Sequence, residues 1–428
     1  MTPPAHAVLP RRAAVVVFLA FAFAYFLSAL VRAVTATLAP TLAQEFSLQA
    51  SDLGLLAGGY FLGFAATQLP LGAWLDQHGP RKVALGFLGV AVAGSLVFSA
   101  ATGFSGLLAG RVLCGAGVSA CLMAPLTGYR RWFEPTAQLR ANSWMLMTGS
   151  LGMVASTLPV QWALPLVGWR PLFWGLAVLI AVSMLVIAAA VPRWTAAAGG
   201  APAKAGEGRP AAEAPAPHGG YAMVWRHPYF QRMAPLGFFC YGGMVAMQTL
   251  WAGPWMQRVA GYTALQAATG LFWINVSMLC AFWTWGLLNP WLQRRGLGAD
   301  RLMTAGLPAC LAVLLGIIVA GPGAGGGAWA LFCVSCTFVS LSQPAVAMAF
   351  PQALAGRALS AYNLVIFAGV FVVQWGIGLA VDAFAAAGFS STQSFQAAMA
   401  VYLACNASAY AWFVLRGRSH NVPQIATP

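Results

Sequence analysis

Charged side chains are scarce in this chain. Only 7% of its 428 residues are Asp, Glu, Lys or Arg, whereas 60% are hydrophobic. Soluble domains carry about 25% charged residues. The scarcity excludes an ordinary water-exposed globular fold and predicts a surface that faces lipid.

Acidic residues are especially rare, and none of the eight falls in the middle of an apolar run. Carboxylates at mid-membrane depth typically carry protons or attract cations. Their lack argues against an antiporter that exchanges cationic drugs for protons. The acidic residues occupy loops, helix ends or a central linker: Glu45, Asp52, Asp76, Glu134, Glu207, Glu213, Asp300 and Asp382.

Sequence features of catalysis and metal binding are also missing. The five histidines fall in tails, linker or loops, away from any plausible nucleophile or metal partner. The glycine-rich run 321–327 lacks the following Lys-Ser/Thr of a phosphate-binding loop. Most cysteines lie in apolar runs and are expected to be small buried hydrophobes. We therefore expect no enzyme, no cofactor and no metal site.

Long apolar runs are abundant instead, and a helix that crosses a bilayer needs about 20 such residues. The short strands of alternating polarity that a β-barrel requires are not evident. The sequence predicts an all-α membrane protein with twelve transmembrane helices in two six-helix pseudo-symmetric bundles. The predicted spans are 13–38, 53–74, 83–101, 105–128, 141–163, 171–191, 232–256, 264–288, 302–320, 328–350, 358–383 and 395–415.

The 22 Lys and Arg residues are distributed unevenly between the two sides of these spans. Arg32 and Arg111 fall inside apolar runs and Arg170 and Arg258 in loops of the far side, but all the others lie on the side of the N-terminus. Because cytoplasmic loops are enriched in basic residues, we expect both termini in the cytoplasm. The expected location is a bacterial inner (plasma) membrane.

The centre of the chain is hydrophilic and rich in Ala, Pro and Gly, which predicts a flexible cytoplasmic linker at 193–228. Six spans precede it in 1–192 and six follow it in 229–428. Phe133 and Arg140 recur at the same spacing as Phe350 and Arg357. An even number of spans in each half predicts two parallel repeats.

The loop after the second span reads Gly72-Ala-Trp-Leu-Asp76-Gln-His-Gly79-Pro-Arg81-Lys82, and the fourth span begins Arg111-Val-Leu-Cys-Gly115-Ala-Gly117. Both resemble motifs of the major facilitator superfamily (MFS). In that family the loop is a charge latch that closes one face, which implies roles for Gly72, Asp76, Gly79, Arg81 and Lys82. Gln77 replaces the usual arginine, and the second-half copy at Gly286 has no aspartate.

Arg32 is a charge within the first span, where charge is costly, and it is therefore a candidate for function. The spacing of Tyr25, Arg32 and Pro40 resembles the first helix of the organophosphate:phosphate antiporter branch, where this arginine binds the substrate anion. That branch has a second arginine in its seventh helix, but this chain has none there. A carboxylate is therefore favoured over a phosphate dianion. A snorkelling or helix-packing arginine remains the alternative.

In the family, the first, fourth, seventh and tenth helices of a carrier line the central cavity. The resemblance therefore implies a wall that mixes aromatic, neutral polar and cationic side chains. Arg111 is in the family often linked to proton coupling or cavity orientation, with a structural role equally open. The substrate-binding candidates are Arg32, Tyr25, Ser28, Arg111, Tyr241, Gln248, Trp251, Ser340 and Gln343.

The leading hypothesis is a secondary active transporter that takes up a small organic anion by alternating access. We expect it to act as a monomer in the bilayer, with a coupling proton or counter-anion and no nucleic-acid partner. Proton-coupled efflux of drugs or other apolar compounds is one alternative, and a transporter-like membrane sensor is another. A copper carrier using Met244, Met247 and Cys240 is a further possibility.

Overall fold

The computed structural model describes residues 8–194 and 221–418, and every element in these ranges is helical. Most of the predicted linker, 195–220, lies outside them, whereas its last residues, from Tyr221, begin the helices of the second half. The helices of the first half are α1 (Arg11–Phe46), α2 (Ala50–Ala66), α3 (Gln68–Ser99), α4 (Phe104–Val118), α5 (Ala120–Trp132), α6 (Pro135–Ala155), α7 (Leu158–Val167) and α8 (Trp169–Ala190). Those of the second half are α9 (Tyr221–Arg226), α10 (Pro228–Pro235), α11 (Gly242–Ala246), α12 (Ala252–Arg258), α13 (Ala264–Arg294), α14 (Ala299–Ala320), α15 (Gly326–Cys336), α16 (Ser342–Met348), α17 (Gln352–Ala386) and α18 (Ser391–Arg418).

The helices agree with the predicted all-α membrane fold. In the described ranges, nine helical segments are long and apolar enough to cross a membrane when α4 with α5 and α15 with α16 each count as one segment. The number is ten when the bent pair α6 and α7 also counts as one span. Helix α2 is shorter, with 17 residues, and the run 228–258 is divided into several helical pieces. The count of twelve spans stays a prediction.

Three of the long helical runs are interrupted by departures from regular α-helical geometry. In α3, Gly79 has a φ of +77°, which glycine adopts without penalty, and this residue divides the helix into a descending arm, 68–78, and an ascending arm, 80–99. Two π-helical segments, Leu236–Tyr241 and Met247–Trp251, interrupt the run 228–258. A 3₁₀ segment, Thr337–Leu341, separates α15 from α16. Such segments change which side chains face a given neighbour.

The two halves meet along α2 and α17, and small residues permit the close approach. A Cβ atom on Gly54 would lie 2.4 Å from the carbonyl oxygen of Gln374, and one on Gly378 would lie 2.4 Å from that of Ala50. Each half therefore lacks a side chain where the backbone of the other half arrives. Further along, the rings of Phe64 and Phe367 pack at 4.4 Å.

The helix ends form two faces of the molecule. We call the one with Arg81, Lys82, Arg294 and Arg295 the basic face and the other the opposite face. At the opposite face Asp382 of α17 accepts hydrogen bonds from the backbone N–H groups of Ala50 (3.1 Å) and Ser51 (2.7 Å). The carboxylate of one half thus caps the first turn of α2 in the other half.

A second contact at the opposite face joins helices within the first half. Glu45, at the end of α1, accepts hydrogen bonds from the Trp169 indole and the Arg170 guanidinium, both at 2.6 Å. Both donors begin α8. This ion pair ties α1 to α8 without contacting the second half.

Candidate functional site

A cavity of about 770 Å³ lies between the two halves. Its walls come from α1 and α6 in the first half, and from the segments around α11, α13 and α16 in the second. This volume is typical of sites for small molecules. The cavity also extends toward the basic face, because Ser143 near the start of α6 and Leu287 near the end of α13 line it.

Arg32 is the only charged residue among the described side chains that line this cavity. It is half-buried, and its guanidinium interacts with the hydroxyl groups of Tyr25 and Tyr60. The ring of Phe64 lies 5.8 Å away. None of these partners carries a negative charge. The cation therefore faces the cavity with neutral neighbours.

Helix α1 runs to Phe46, so Arg32 lies nearer to its middle than the shorter predicted span 13–38 suggested. Room for its partner Tyr25 comes from the facing helix α6. A Cβ atom on Gly149 would lie 2.5 Å from the Tyr25 ring. The packing between α1 and α6 therefore holds this phenol in place at the cavity wall.

The second half contributes neutral hydrogen-bonding groups to the wall of the cavity across from Arg32. The Gln248 amide donates to the Asn275 carbonyl oxygen at 2.9 Å. The Tyr241 hydroxyl donates to Gln343 at 3.3 Å, and the Gln343 amide donates to Asn363 at 2.6 Å. These pairs are oriented by one another, so the wall presents fixed amide and phenol groups.

Three of the residues on the cavity wall lie in the π-helical and 3₁₀ segments that interrupt the helices. Tyr241 ends the first π-helical segment, Gln248 lies in the second, and Ser340 lies in the 3₁₀ segment. Of the candidates from sequence, the structure places on the cavity wall Tyr25, Arg32, Tyr241, Gln248, Ser340 and Gln343.

Arg111 lies elsewhere, in contrast to the expectation from sequence. It is fully buried among α1, α2 and α4, where its guanidinium donates to the carbonyl oxygens of Val31 (2.8 Å) and Arg32 (3.4 Å). It also packs over the Tyr60 ring at 5.0 Å. Backbone carbonyl groups accept from its two terminal nitrogens, so the side chain packs inward and does not line the cavity.

Ser28 and Trp251 are also buried away from the cavity. The Ser28 carbonyl oxygen accepts a hydrogen bond from Tyr60 at 3.4 Å. The Trp251 indole donates to the carbonyl oxygen of Gln374 at 3.0 Å. Neither residue lines the cavity. Position along an apolar helix does not by itself indicate which side of the helix faces a cavity.

Several cavity residues were not singled out from the sequence. Asn275 is the clearest, since it is an amide near the middle of the apolar run 264–288, and that position was a usable signal. The aromatic and thioether residues gave no comparable signal, because such side chains also pack helices. The additional lining residues include Ser143, Trp144, Met147, Ser150, Met153, Asn275, Phe282 and Trp283.

The expected latch residues have different surroundings from those anticipated. Asp76 is exposed and forms no ion pair with Arg81, whose guanidinium donates instead to the carbonyl oxygen of Ala188. A Cβ atom on Gly72 would meet nothing within 4 Å, so Gly72 is not a close-approach site here. The contact between halves is instead made at the opposite face by Asp382.

The methionines and cysteines considered as copper ligands do not share one site. Met244 lines the cavity, but Met247 is fully buried. Within the described ranges, no cluster of three or more His, Cys, Asp or Glu is suited to a metal ion. Cys310 and Cys336 are disulfide-bonded, which differs from the expectation of free buried thiols. Adjacent helices α14 and α15 bring this pair together.

Comparisons with known proteins agree with this architecture. A search of curated protein sequences finds no significant match. Among solved structures, a bacterial homologue of the human lysosomal transporter Spinster, inward-facing and unoccupied, has a TM-score of 0.74 at 16% identity, over 97% of this chain and 100% of that one. The POT family transporter PepTSo has a TM-score of 0.75 at 14% identity, over 97% and 99%.

A D-xylose–proton symporter is also similar, with a TM-score of 0.70 at 14% identity over 93% of this chain and 97% of that one. These identities are low, so the likeness concerns the fold. The model of the Major Facilitator Superfamily matches residues 21–374. The chain therefore belongs to the Major Facilitator Superfamily and is a membrane transporter rather than an enzyme.

Proposed function

We propose that the protein is a secondary active transporter that takes up a small organic anion, of the carboxylate class, by alternating access. The observation that carries the proposal is Arg32, a cation on the cavity wall with no carboxylate among the described lining residues. A charge in the bilayer costs about 2.5–3.5 kcal/mol on insertion scales. An anionic substrate that binds there offsets part of this cost.

The neutral wall of the second half favours a monoanion. Gln248, Asn275 and Gln343 offer hydrogen bonds but no second positive charge. One guanidinium binds one carboxylate through two parallel hydrogen bonds. A phosphate dianion would leave half of its charge without a cationic partner. The resemblance of the first span to the organophosphate:phosphate antiporter branch would therefore extend to the use of Arg32 and not to the substrate.

The rest of the lining favours a substrate with some apolar surface. Trp144, Met147, Met153 and Phe282 all line the cavity. Burial of apolar area contributes roughly 25 cal/mol per Å². A carboxylate that also carries an alkyl or aromatic group would use both the charged and the apolar parts of the wall.

The arrangement of the two faces supports an alternating-access cycle. The halves are joined at the opposite face through Asp382 and the first turn of α2, while the cavity extends toward the basic face. If the basic face is cytoplasmic, as the charge distribution predicts, this is the inward-facing state. Rocking the halves about the central site would break the Asp382 contact and open the other side.

The test measures the binding of candidate carboxylates to the purified protein and their uptake into proteoliposomes that contain it. Arg32→Ala should abolish binding. Arg32→Lys should retain weak binding, because an ammonium group keeps the charge but cannot donate two parallel hydrogen bonds to a carboxylate. Arg12→Ala is the matched control, since it removes an exposed arginine from the same helix. Unchanged carboxylate binding by Arg32→Ala would reject the proposal.

The apolar lining keeps proton-coupled efflux of drugs or other apolar compounds as a second candidate. In that case Arg32→Ala would leave transport of apolar dyes intact, and a deletion strain would become sensitive to them. A transporter-like sensor would bind the carboxylate without accumulating it in proteoliposomes. Proteoliposomes and the deletion strain together therefore separate all three functions.

A further inference from the structure

A second concavity lies outside the central cavity, on the flank of the first half. It has a volume of about 510 Å³ and shares no lining residue with the central cavity. We call it the hairpin groove, because both arms of α3 form its walls. Its lining residues are Thr67, Trp74, His78, Lys82, Val83, Gly86, Phe87, Val90 and Ala116.

The groove exists because of two glycines. Gly79, with its φ of +77°, folds the arms of α3 into a hairpin. Gly86 then leaves the wall of the ascending arm without a side chain, since a Cβ atom there would meet nothing within 4 Å. The result is an open, largely apolar slot between two helices that cross the membrane. Only lipid, or a molecule dissolved in it, surrounds such a slot at that depth.

The charged group that lines the groove, Lys82, lies at one end of it, beside His78. Lys82 and His78 are both exposed and lie within four residues of the Gly79 bend, at the basic face. Asp76 is on the same turn, but at 100° per residue it projects about 200° away from Trp74 and from His78. It is also not among the lining residues. The end of the groove is therefore positive.

Trp74 indicates the depth of this end in the membrane, and the contacts of Arg81 indicate which side chain supplies its charge. Trp74 is 40% exposed, and its ring packs on Phe87 at 5.6 Å. Tryptophan prefers the membrane–water boundary, where lipid headgroups begin. Arg81 does not supply the charge at this end of the groove, because its guanidinium donates to the Ala188 carbonyl oxygen. The cationic end therefore lies at headgroup depth and the apolar slot at acyl-chain depth.

We propose that the hairpin groove binds one anionic phospholipid from the leaflet at the basic face. The phosphate contacts Lys82 and His78, and an acyl chain lies over Gly86 between Val83 and Val90. Basic pockets beside transmembrane helices are suited to anionic headgroups, and each nearby Lys or Arg contributes about 1 kcal/mol of attraction. The site is independent of the transported substrate and stands whatever that substrate is.

The experiment is native mass spectrometry of the full chain in detergent, with phosphatidylglycerol or phosphatidylcholine added to the micelles. We expect one retained phosphatidylglycerol per protein and a weaker signal for the zwitterionic lipid. Lys82→Gln should lower the retention of phosphatidylglycerol about fivefold. Free glycerol phosphate should not compete, because it lacks the acyl chain that fills the slot.

A second variant tests the apolar part of the site. Gly86→Leu places a side chain in the open slot and should reduce the retention of both lipids. The matched controls are Arg12→Gln and Gly175→Leu. The first removes an exposed arginine outside the groove, and the second adds a side chain at an exposed, open position on α8. Gel filtration and thermal unfolding of each variant establish that it is folded.

Three outcomes would overturn the proposal. The first is equal retention of phosphatidylglycerol by the wild type and Lys82→Gln. The second is competition by glycerol phosphate alone, which would make the site a phosphate site. The third is a change in oligomeric state, rather than in lipid count, on Gly86→Leu, which would make the groove an interface between copies of the chain.

Discussion

The sharpest structural prediction concerns Asp382. Its two carboxylate oxygens accept hydrogen bonds from the N–H groups of Ala50 and Ser51, which begin α2 in the other half. The first four N–H groups of a helix have no partner within the helix. Asp382→Ala therefore removes a cap from a helix that belongs to a different bundle. The effect should fall on the conformational equilibrium rather than on either bundle alone.

The size of the effect follows from the two contributions of the contact. Loss of a capping side chain costs roughly 0.5–2 kcal/mol. Loss of a negative charge at a helix N-terminus costs about 0.3–1 kcal/mol more. Because water can solvate the freed N–H groups once the face opens, a net value of about 1–2 kcal/mol is expected. That corresponds to a shift of about 5- to 30-fold in favour of the state with an open opposite face.

Pulsed electron paramagnetic resonance between the two halves measures this shift. Spin labels at Thr102→Cys and Ala264→Cys report the opening of the opposite face, since both positions are exposed in loops or at helix ends there. The exposed Cys280 is first replaced by alanine. Asp382→Ala should increase the population with the longer distance. Asp382→Asn should lie between, because it keeps one acceptor oxygen and loses the charge.

Asp52→Ala is the matched control. Asp52 accepts a hydrogen bond from the Gln49 N–H at 3.0 Å, so it also stabilises the start of α2, but from within the same half. It should weaken the helix end without changing the distance distribution. If Asp382→Ala and Asp52→Ala give the same distributions, then the contact between the halves does not hold the face closed, and the reasoning fails.

Three further predictions rest on single sites. Burial alone would raise the pKa of Glu45, but its indole and guanidinium donors outweigh burial and lower this pKa. Glu45→Gln should therefore destabilise the protein by less than about 1 kcal/mol at pH 7. The difference in Tm should shrink as the pH falls below the unfolded-state pKa of about 4.3 and be lost below the lowered folded-state pKa, and a difference that stays constant as the pH falls would contradict this. Gly378→Val should prevent closure of the opposite face, because its Cβ would lie 2.4 Å from the Ala50 carbonyl oxygen; spin-label distances that match the wild type would argue against it. Gly79→Ala should lower the free energy of unfolding by about 1–3 kcal/mol, because its φ of +77° becomes strained, and an unchanged Tm would disagree.

The candidate site was partly predictable from the sequence. Arg32 could be identified because an isolated charge in an apolar run is rare and costly. Asn275 could have been found in the same way, as an amide near the middle of such a run. Arg111 satisfied the same criterion but lies in the packed interior, against the carbonyl oxygens of Val31 and Arg32. A charge in a span signals a special environment without revealing which one.

The second half shows why the facing of helices was harder to predict. A regular helix turns 100° per residue, so the relative directions of Tyr241, Gln248 and Trp251 should follow from their spacing. Two π-helical segments change that relation. As a result Tyr241 and Gln248 line the cavity, whereas Trp251 packs against the backbone of Gln374. No residue pattern in the sequence indicated these segments.

By itself the sequence determined the properties that depend on composition and local pattern. Scarce charge and long apolar runs dictated helices in lipid, and the signature loop at Gly72 to Lys82 indicated the family. Arg32 within a span, together with the lack of acidic residues in the spans, suggested an anionic substrate. Only the tertiary structure decided which side chains meet. The contact of Asp382 with Ser51 joins residues 331 positions apart, and the hairpin groove needs both arms of α3. Such contacts depend on how helices pack and bend, which composition and spacing do not encode.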